Sequence, residues 1–518
     1  MFLGIDIGTS EVKALLLADD HRLVGTAGAP LAISRPHPGH SEQDPADWWQ
    51  ATLLALEKLR AAHAKEYAAV KAIGLSGQMH GAVLLDAQHQ VLRPAILWND
   101  TRASVECEEM MRDCPELPQL AGSLVMPGFT APKLRWVAKH EPALFADVAK
   151  MLLPKDYIRF KLTGEFVTDM SDASGTAWLD VAKRAWSETL LKLTGLTPEH
   201  MPRLVEGSAS SGVLRDDVAA LLGLPRNASG GGSGATSGGV IVAGGGGDNA
   251  ASAVGMGAVH AGQGFLSLGT SGVLFVVTPS YQPNAASATH AFCHAVPGQW
   301  HQMSVMLSAA SCLHWATRLV GASSESEMEI KASTLTMAER ATAPIFLPYL
   351  SGERTPHNSA SVRGSLHGLD HDTHADSLAY AVIEGVTFGL NDGLAALRAA
   401  GCQPQRLSLV GGGAKSAMWA QQLASCLGLE IVTHSGSAAG GALGAARLAW
   451  LAWLDSRSPS GTSSASGPSR TSANLAQVCP APDIERVYTP NATEQAMLQP
   501  RYERFRALYA DPERSTQN

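Results

Sequence analysis

The sequence predicts a two-lobed α/β protein, and three observations support that prediction. The chain has 518 residues, 45% of them hydrophobic, which is enough to bury more than one large core. Short apolar runs of strand character alternate with amphipathic helical runs, the pattern of sheets covered by helices. A strand, a Gly-Thr-Ser turn and a second strand at residues 3–17 recur at residues 265–277, so we expect one copy to open each half.

Composition excludes several classes of function. A formal net charge of -8 and a pI near 6.1 predict no basic surface, so we expect neither a nucleic-acid nor a membrane partner, and a small-molecule substrate fits better. Seven scattered cysteines without a Cys-x-x-Cys motif predict reduced thiols in the cytoplasm. We expect no signal peptide and no transmembrane helix, because the apolar runs are too short.

The first candidate site is the hairpin that opens the chain. Backbone N–H groups of such a turn can bind phosphate while a neighbouring carboxylate holds a hydrated magnesium ion. The polar residues available there are Asp6, Thr9, Ser10 and Lys13. A Gly-Thr-Ser turn alone is ordinary hairpin chemistry, but the second copy, at Gly269, Thr270 and Ser271, favours a nucleotide held between two lobes.

A run of three glycines forms a further candidate nucleotide loop. Gly411, Gly412 and Gly413 follow the apolar run 407–410 and precede a helical run. Glycines in a strand-to-helix turn permit close approach of the backbone to a ligand. A tight structural turn explains the same spacing equally well.

Asp248 is the candidate catalytic base. It follows the strand-like run 240–243 and four glycines, and it precedes Asn249 and a helix of small residues. A carboxylate presented in this way can accept a proton from a hydroxyl group. A helix N-cap is the structural alternative, since aspartate commonly caps helices.

Polar side chains also follow two predicted strands. Met79 and His80 come after the run 73–76, and Trp98 and Asp100 come after the run 95–97. The ends of strands in open α/β sheets are common ligand sites. A satisfied loop histidine and an ion pair between Asp100 and a neighbouring arginine are the structural alternatives.

Taken together, these motifs resemble the FGGY carbohydrate kinases over residues 1–453 and the terminal helix. The most specific segments are residues 4–10, 41–45, 77–81, 96–100, 153–157, 246–249 and 348–356, and residues 128–137 and 364–384 resemble two family signatures. Ser377 stands where the second signature usually has an acid, an amide or a histidine. We expect that departure to affect the start of a helix and not the chemistry.

The resemblance implies an actin-like, ribonuclease-H-type ATPase fold with the active site in the cleft between two lobes. The expected division is a sugar-binding lobe at 1–250, a nucleotide-binding lobe at 251–455, a flexible Ser/Pro-rich segment at 456–485, and a terminal helix and tail at 486–518. A homodimer is compatible with the resemblance.

The resemblance also implies ATP-dependent phosphorylation of a ketopentose with Mg²⁺, and residues 78–80 favour D-xylulose over another ketose or polyol. Asp248 would be the base, and Asp6 would hold Mg²⁺, chiefly through water. The implied sugar contacts are Met79, His80, Trp98, Asp100 and Asn249, and the implied nucleotide contacts are Thr9, Ser10, Lys13, Gly269, Thr270, Ser271, Gly412 and Gly413.

Two departures from the family bear on Asp248. A Ser/Gly-rich insertion occupies residues 227–239, and four glycines precede the acid where family members carry three. Either can shift Asp248 in register, although a longer flexible loop costs only about 0.6 kcal/mol for each doubling of its length. A non-kinase module of the actin or chaperone-ATPase class and an inactive scaffold are the remaining alternatives.

Overall fold

The computed structural model describes residues 1–226, 239–435, 440–457 and 468–510. The Ser/Gly-rich insertion predicted to be flexible at 227–239 lies outside the described residues except for Gly239. Within the described ranges the chain forms two large sheets, each covered by helices.

The first half of the chain begins with an antiparallel meander, as predicted, and continues with alternating helices and strands. Its elements are β1 (Phe2–Ile7), β2 (Glu11–Leu17), β3 (Leu23–Pro30), β4 (Glu42–Gln43), α1 (Pro45–Ala62), α2 (Ala64–Tyr67), β5 (Ala72–Gly77), β6 (Val83–Leu85), β7 (Ala95–Ile96), α3 (Ser104–Asp113), α4 (Leu117–Ala121), α5 (Thr130–His140), α6 (Pro142–Ala146), β8 (Lys150–Leu152), α7 (Pro154–Thr163), β9 (Val167–Asp169), α8 (Met170–Ser174), β10 (Leu179–Asp180), β11 (Ala185–Trp186), α9 (Glu188–Lys192), β12 (Arg203–Val205), β13 (Ser210–Val213), α10 (Asp216–Leu222), β14 (Ile241–Ala243), β15 (Gly246–Gly247) and α11 (Asp248–Gly255).

The second half repeats this plan. Its elements are β16 (Gly264–Leu268), β17 (Gly272–Thr278), β18 (His290–Cys293), β19 (Trp300–Met306), α12 (Ala310–Val320), α13 (Glu325–Thr334), α14 (Met337–Thr342), β20 (Ile345–Leu347), β21 (Ser365–His367), α15 (Ala375–Ala399), β22 (Arg406–Val410), α16 (Ala417–Leu427), β23 (Glu430–His434), α17 (Gly440–Ser456), α18 (Pro468–Val478), β24 (Ile484–Tyr488) and α19 (Ala492–Ala510).

The two large sheets share one topology, which confirms the predicted internal repeat. The first has the order β13-β14-β5-β1-β2-β3, with β15 also paired to β5, and the second has the order β18-β19-β17-β16-β22-β23-β24. In each, an antiparallel hairpin (β1–β2 or β16–β17) has a parallel strand (β5 or β22) on one side. An antiparallel strand (β3 or β19) lies on its other side.

The helix caps follow from local sequence. The Asp44 side chain accepts a 2.9 Å hydrogen bond from the N–H of Ala46, and Pro45 occupies the first turn of α1. At α15 the Ser377 hydroxyl accepts a 3.1 Å hydrogen bond from the N–H of His374. The unusual residue in the second family signature therefore lies at a helix start, as predicted.

Helix α17 departs from the predicted division at residues 251–455, because it packs on the first sheet and not on the second. Glycines in the strands make this close approach possible. A Cβ on Gly4 of β1 would lie 1.9 Å from the Ala442 carbonyl oxygen, and one on Gly74 of β5 would lie 1.8 Å from that of Ala445. The first lobe is therefore completed by a distant part of the chain.

The prediction of a flexible segment at 456–485 is wrong for its second half. Residues 468–478 form helix α18, and Leu475, Val478 and Cys479 are buried beside α17. Residues 458–467 lie outside the described ranges. Among the residues that the structure describes, no helix has both the length and the apolar character needed to cross a membrane.

Candidate active site

Two carboxylates meet at one end of the first sheet. Asp6 pairs with Ser76 across β1 and β5, and Ser76 pairs with Gly246 across β5 and β15. These three residues therefore lie side by side at the carboxyl ends of parallel strands, where α/β sheets commonly bind ligands. Asp248 begins α11 two residues after Gly246, so its carboxylate faces the same region as that of Asp6.

A β-bulge accommodates the four glycines that precede Asp248. Strand β5 advances three positions from Ile73 to Ser76, while the chain opposite advances four positions from Val242 to Gly246. Gly245 takes up the extra residue at φ 77°, where a Cβ would lie 2.2 Å from the Leu75 carbonyl oxygen. Pairing is in register again at Gly246, so the extra glycine is absorbed before Asp248.

The carboxyl group of Asp248 is prepared to accept a proton. Its Oδ1 accepts hydrogen bonds from the backbone N–H of Asn249 at 2.7 Å and from the Asn249 side chain at 2.9 Å. Burial, and secondarily the charge of Asp6, raise the pKa of Asp248 to about 6. The N-cap alternative is wrong, because the capping position of α11 is Gly247.

Asp6 fits the role of a cation ligand. Burial raises the pKa of its carboxyl group, while the neighbouring Ser76 and the charge of Lys13 oppose that shift. Its buried Oδ1 accepts no hydrogen bond from any of the described residues. A carboxylate oxygen without a protein partner is the hard donor that Mg²⁺ prefers. Gly441 of α17 keeps the space beside this oxygen open, since a Cβ on Gly441 would lie 3.0 Å from Asp6 Oδ1.

His80 presents one ring nitrogen to the cleft. Its Nδ1 lies 2.6 Å from the carbonyl oxygen of Gly175, which can only accept, so Nδ1 carries the proton and Nε2 is an acceptor. The ring stacks on Phe129 with centroids 4.6 Å apart. Burial, and secondarily the charge of Lys133, lower the pKa of His80 to about 3, which keeps the ring neutral.

Met79 connects the His80 loop to the base. A Cβ on Gly247, the residue before Asp248, would lie 2.9 Å from Met79 Cγ. A Cβ on Gly175 would lie 2.8 Å from Met79 Cε. The structure therefore places Met79 and His80 beside the turn that carries Asp248 and Asn249.

Trp98 lies at the first hairpin. Its indole is 47% exposed, and its Nε1 donates a 3.0 Å hydrogen bond to the hydroxyl of Thr9. Thr9 in turn donates a 3.1 Å hydrogen bond to Gln78 Oε1. The predicted sugar-binding loop and the predicted phosphate-binding turn are thus joined directly by side chains.

Asp100 forms the ion pair that was the alternative to a ligand contact. Its Oδ2 accepts a 2.7 Å hydrogen bond from the Ser41 N–H and lies 2.7 Å from Arg102 Nη2. Its Oδ1 accepts 2.9 Å hydrogen bonds from the N–H and Nε of Arg102. Because the whole carboxylate is used within the protein, Asp100 is not among the sugar contacts that we propose below.

The predicted nucleotide residues lie at turns of both lobes. Ser10, Thr270 and Ser271 are exposed at the hairpin turns, and Lys13, which pairs with Asp6 across the hairpin, also forms a 2.8 Å ion pair with Glu11. The Gly269 carbonyl oxygen accepts a 2.8 Å hydrogen bond from the N–H at the start of α12.

The two glycines predicted to contact adenosine have different surroundings. A Cβ on Gly412 would meet nothing within 4 Å, so this residue borders open space. A Cβ on Gly413 would lie 2.4 Å from a methyl carbon of Leu268, at the base of the second hairpin. Gly412 therefore has room for a ligand, whereas Gly413 is required by packing.

Sequence reasoning missed Arg354, a half-buried residue of the second half. Burial is the main cause of the lowered pKa of both His80 and His290, and the Arg354 charge lowers each of them further. Thr355, the next residue, donates a 2.8 Å hydrogen bond to the carbonyl oxygen of Ala288. The segment 348–356 was noted as a family motif, but no pattern in it indicated which side chain approaches the first lobe.

Comparisons with known proteins identify the family of the chain. The model of the N-terminal domain of the FGGY family of carbohydrate kinases matches residues 1–255, and that of the C-terminal domain matches residues 264–453. The chain is 48% identical to the xylulose kinase of Escherichia coli (strain K12) over 513 residues, which is 98% of each chain.

Two solved structures share the architecture. A crystal structure described as a xyloylose kinase from Brucella ovis matches with a TM-score of 0.90 and 48% identity, covering 98% of both chains. The xylulose kinase from Rhodospirillum rubrum matches with a TM-score of 0.86 and 27% identity, again covering 98% of both chains. The actin-like two-lobed fold predicted from the sequence is thereby confirmed.

Proposed function

The chain belongs to the FGGY family of carbohydrate kinases, and from that membership we propose that it transfers the γ-phosphoryl group of ATP to the C5 hydroxyl of D-xylulose. The products are D-xylulose 5-phosphate and ADP. Similarity to bacterial xylulose kinases over nearly the whole chain supports this substrate. The observation that carries the proposal is the meeting of Asp248 with Met79, His80 and Asp6 at one end of the first sheet.

In the proposed reaction Asp248 orients the C5 hydroxyl and accepts its proton. An ordinary carboxylate cannot remove the proton of an alcohol in advance, because the two pKa values are far apart. Phosphoryl transfer has a loose transition state, so the proton leaves late, as the new P–O bond forms. The raised pKa of Asp248 makes it a better acceptor at that moment than an exposed carboxylate.

The sugar contacts we propose are Met79, His80 and Asn249. Nε2 of His80 accepts a hydrogen bond from a sugar hydroxyl, since Nδ1 is engaged with Gly175. Asn249 holds Oδ1 of Asp248 and thereby fixes the direction of the carboxylate. Met79 covers the apolar edge of the site beside Gly247. Trp98 lies close enough to the Thr9 turn to border both sugar and phosphate.

The phosphate contacts we propose come from both hairpins. Backbone N–H groups of Thr9, Ser10, Thr270 and Ser271, and the hydroxyls of Ser10, Thr270 and Ser271, face the triphosphate, and Gly412 lies against the adenosine. Mg²⁺ held near Asp6 would neutralise charge on the phosphate oxygens.

A coupled assay of ADP release tests the substrate. With ATP and Mg²⁺ we expect kcat/KM for D-xylulose to exceed that for ribulose, glycerol and dihydroxypentanedione by at least tenfold. Equal rates with all of them, or ATP hydrolysis that no sugar changes, would refute the proposal and favour another kinase or a non-kinase ATPase.

We also propose a cytoplasmic location and a homodimer. The location is supported by the seven cysteines, all of which are unpaired. The homodimer is testable by sedimentation velocity at micromolar concentration, and a single species at the monomer mass would refute it.

A further inference from the structure

A fully buried group of charged residues lies behind the glycine run that carries Asp248. Lys155 Nζ is 2.7 Å from Asp156 Oδ1, 2.8 Å from Asp169 Oδ1 and 3.0 Å from Asp172 Oδ2. Arg159 pairs with Asp156 as well, and all five side chains are 0% exposed. Three carboxylates share two cations here, and removing charges from water is costly, so the ion pairs by themselves are weak evidence of added stability.

This charged group is connected to the glycine run at both ends. At the end of the run next to Asp248, the Ser171 hydroxyl accepts a 3.1 Å hydrogen bond from the N–H of Gly247. At the start of the run, Arg159 donates a hydrogen bond to the carbonyl oxygen of Gly244. Ser171 is itself fixed, because Asp169 Oδ2 accepts its N–H at 2.8 Å and also its hydroxyl proton.

The glycine run needs such support. Four consecutive glycines have no side chains to pack and the largest conformational freedom of any residue type. Gly247 directly precedes Asp248, so a rotation of its backbone would redirect the carboxylate. A misplacement of about 1 Å in a reacting group can cost on the order of a hundredfold in rate.

We propose that Ser171, held by Asp169 and Lys155, is a positioning residue that fixes the backbone of Gly247 and thereby the direction of the Asp248 carboxylate. The inference rests on the proposed function, since it concerns the same base. It adds a chain of contacts, from Lys155 through Asp169 and Ser171 to Gly247, in which no member needs to touch either substrate.

The test compares Ser171→Ala with Ser174→Ala in the full chain. Ser174 is a matched control, because it lies in the same helix, is equally buried and also accepts a backbone N–H at 3.1 Å, but from Cys293 and not from the glycine run. We measure kcat and KM for ATP and for D-xylulose, and we correct kcat for the folded fraction of each variant, determined by circular dichroism.

We expect S171A to lower kcat by about 10- to 100-fold relative to S174A, with KM for ATP within twofold. Equal kcat values in the two variants would overturn the inference. Absence of turnover in the unsubstituted chain would instead refute the proposed function.

Discussion

Nδ1 of His80 lies 2.6 Å from the carbonyl oxygen of Gly175, and this contact determines what the ring can offer a ligand. The proton stays on Nδ1, so Nε2 is an acceptor for a hydroxyl. His80 adopts this position at φ 72°, a conformation that side chains other than glycine seldom take. The backbone of the loop is thus shaped to present the ring.

We expect His80→Ala to lower kcat/KM for the sugar by about 10- to 100-fold, the value of one or two lost hydrogen bonds, with little change in KM for ATP. His89→Ala is the control, because His89 has a similar backbone, at φ 62°, but packs against Phe160 and Phe166. Steady-state kinetics of both variants provide the measurement. Equal losses would assign the effect to the backbone and not to the ring.

The pH profile reports the two neighbouring carboxylates. Because Asp248 has a pKa raised to about 6, kcat/KM should rise with pH through a midpoint near 6 as the base loses its proton. Asp6→Asn removes a negative neighbour, so the midpoint should move to lower pH. A midpoint unchanged by Asp6→Asn would show that the two carboxylates do not interact.

The two glycines of the nucleotide loop should respond differently to alanine. Gly412→Ala places a methyl group in open space, so the free energy of unfolding should not change. The affinity for ADP, measured by calorimetry, should fall at least fivefold. Gly413→Ala meets Leu268 and should lower the free energy of unfolding by about 1–3 kcal/mol. The reverse pattern would remove Gly412 from the nucleotide site.

A buried ion pair joins the terminal helix α19 to α15 in the second half of the chain. Arg501 Nε and Nη2 donate to Glu384 at 2.7 and 2.6 Å, and the arginine side chain is only 9% exposed. Arg501→Ala should lower the free energy of unfolding by about 3–5 kcal/mol, because it leaves a buried charge unpaired.

Arg406→Ala is the control for that prediction, since its ion pair with Glu430 is exposed. It should cost less than about 1 kcal/mol. Denaturant unfolding of both variants gives the comparison. Similar decreases in the free energy of unfolding would mean that the Arg501 ion pair does not stabilise the packing of α19.

Local patterns in the sequence predicted much of the fold. The Gly-Thr-Ser hairpins, the first meander and the terminal helix follow from turn chemistry and periodicity over a few residues, and they were confirmed. The placement of α17 on the first sheet could not be predicted in this way. It depends on contacts between residues far apart in the chain: Gly4 faces Ala442, 438 positions away, and Gly74 faces Ala445, 371 positions away.

The site was predictable to a similar extent. Asp6, Asp248 and His80 each follow a predicted strand, which made each of them a candidate, whereas the family resemblance implied that they share one site. Sequence could not decide between the two interpretations of Asp100, because the choice depends on whether Ser41 and Arg102 reach its oxygens. The support of Gly247 by Ser171 was invisible for the same reason, since 76 positions separate the two residues.

The central claim, that Asp248 accepts the proton of the sugar hydroxyl, is tested most directly by Asp248→Asn. Asparagine keeps the size of the side chain and removes the proton acceptor, so kcat should fall by about 10²- to 10⁴-fold while affinity for ADP is unchanged. Single-turnover measurement of sugar phosphate formation, with ADP binding by calorimetry beside it, gives both quantities. Turnover within tenfold of the unsubstituted chain would contradict the account.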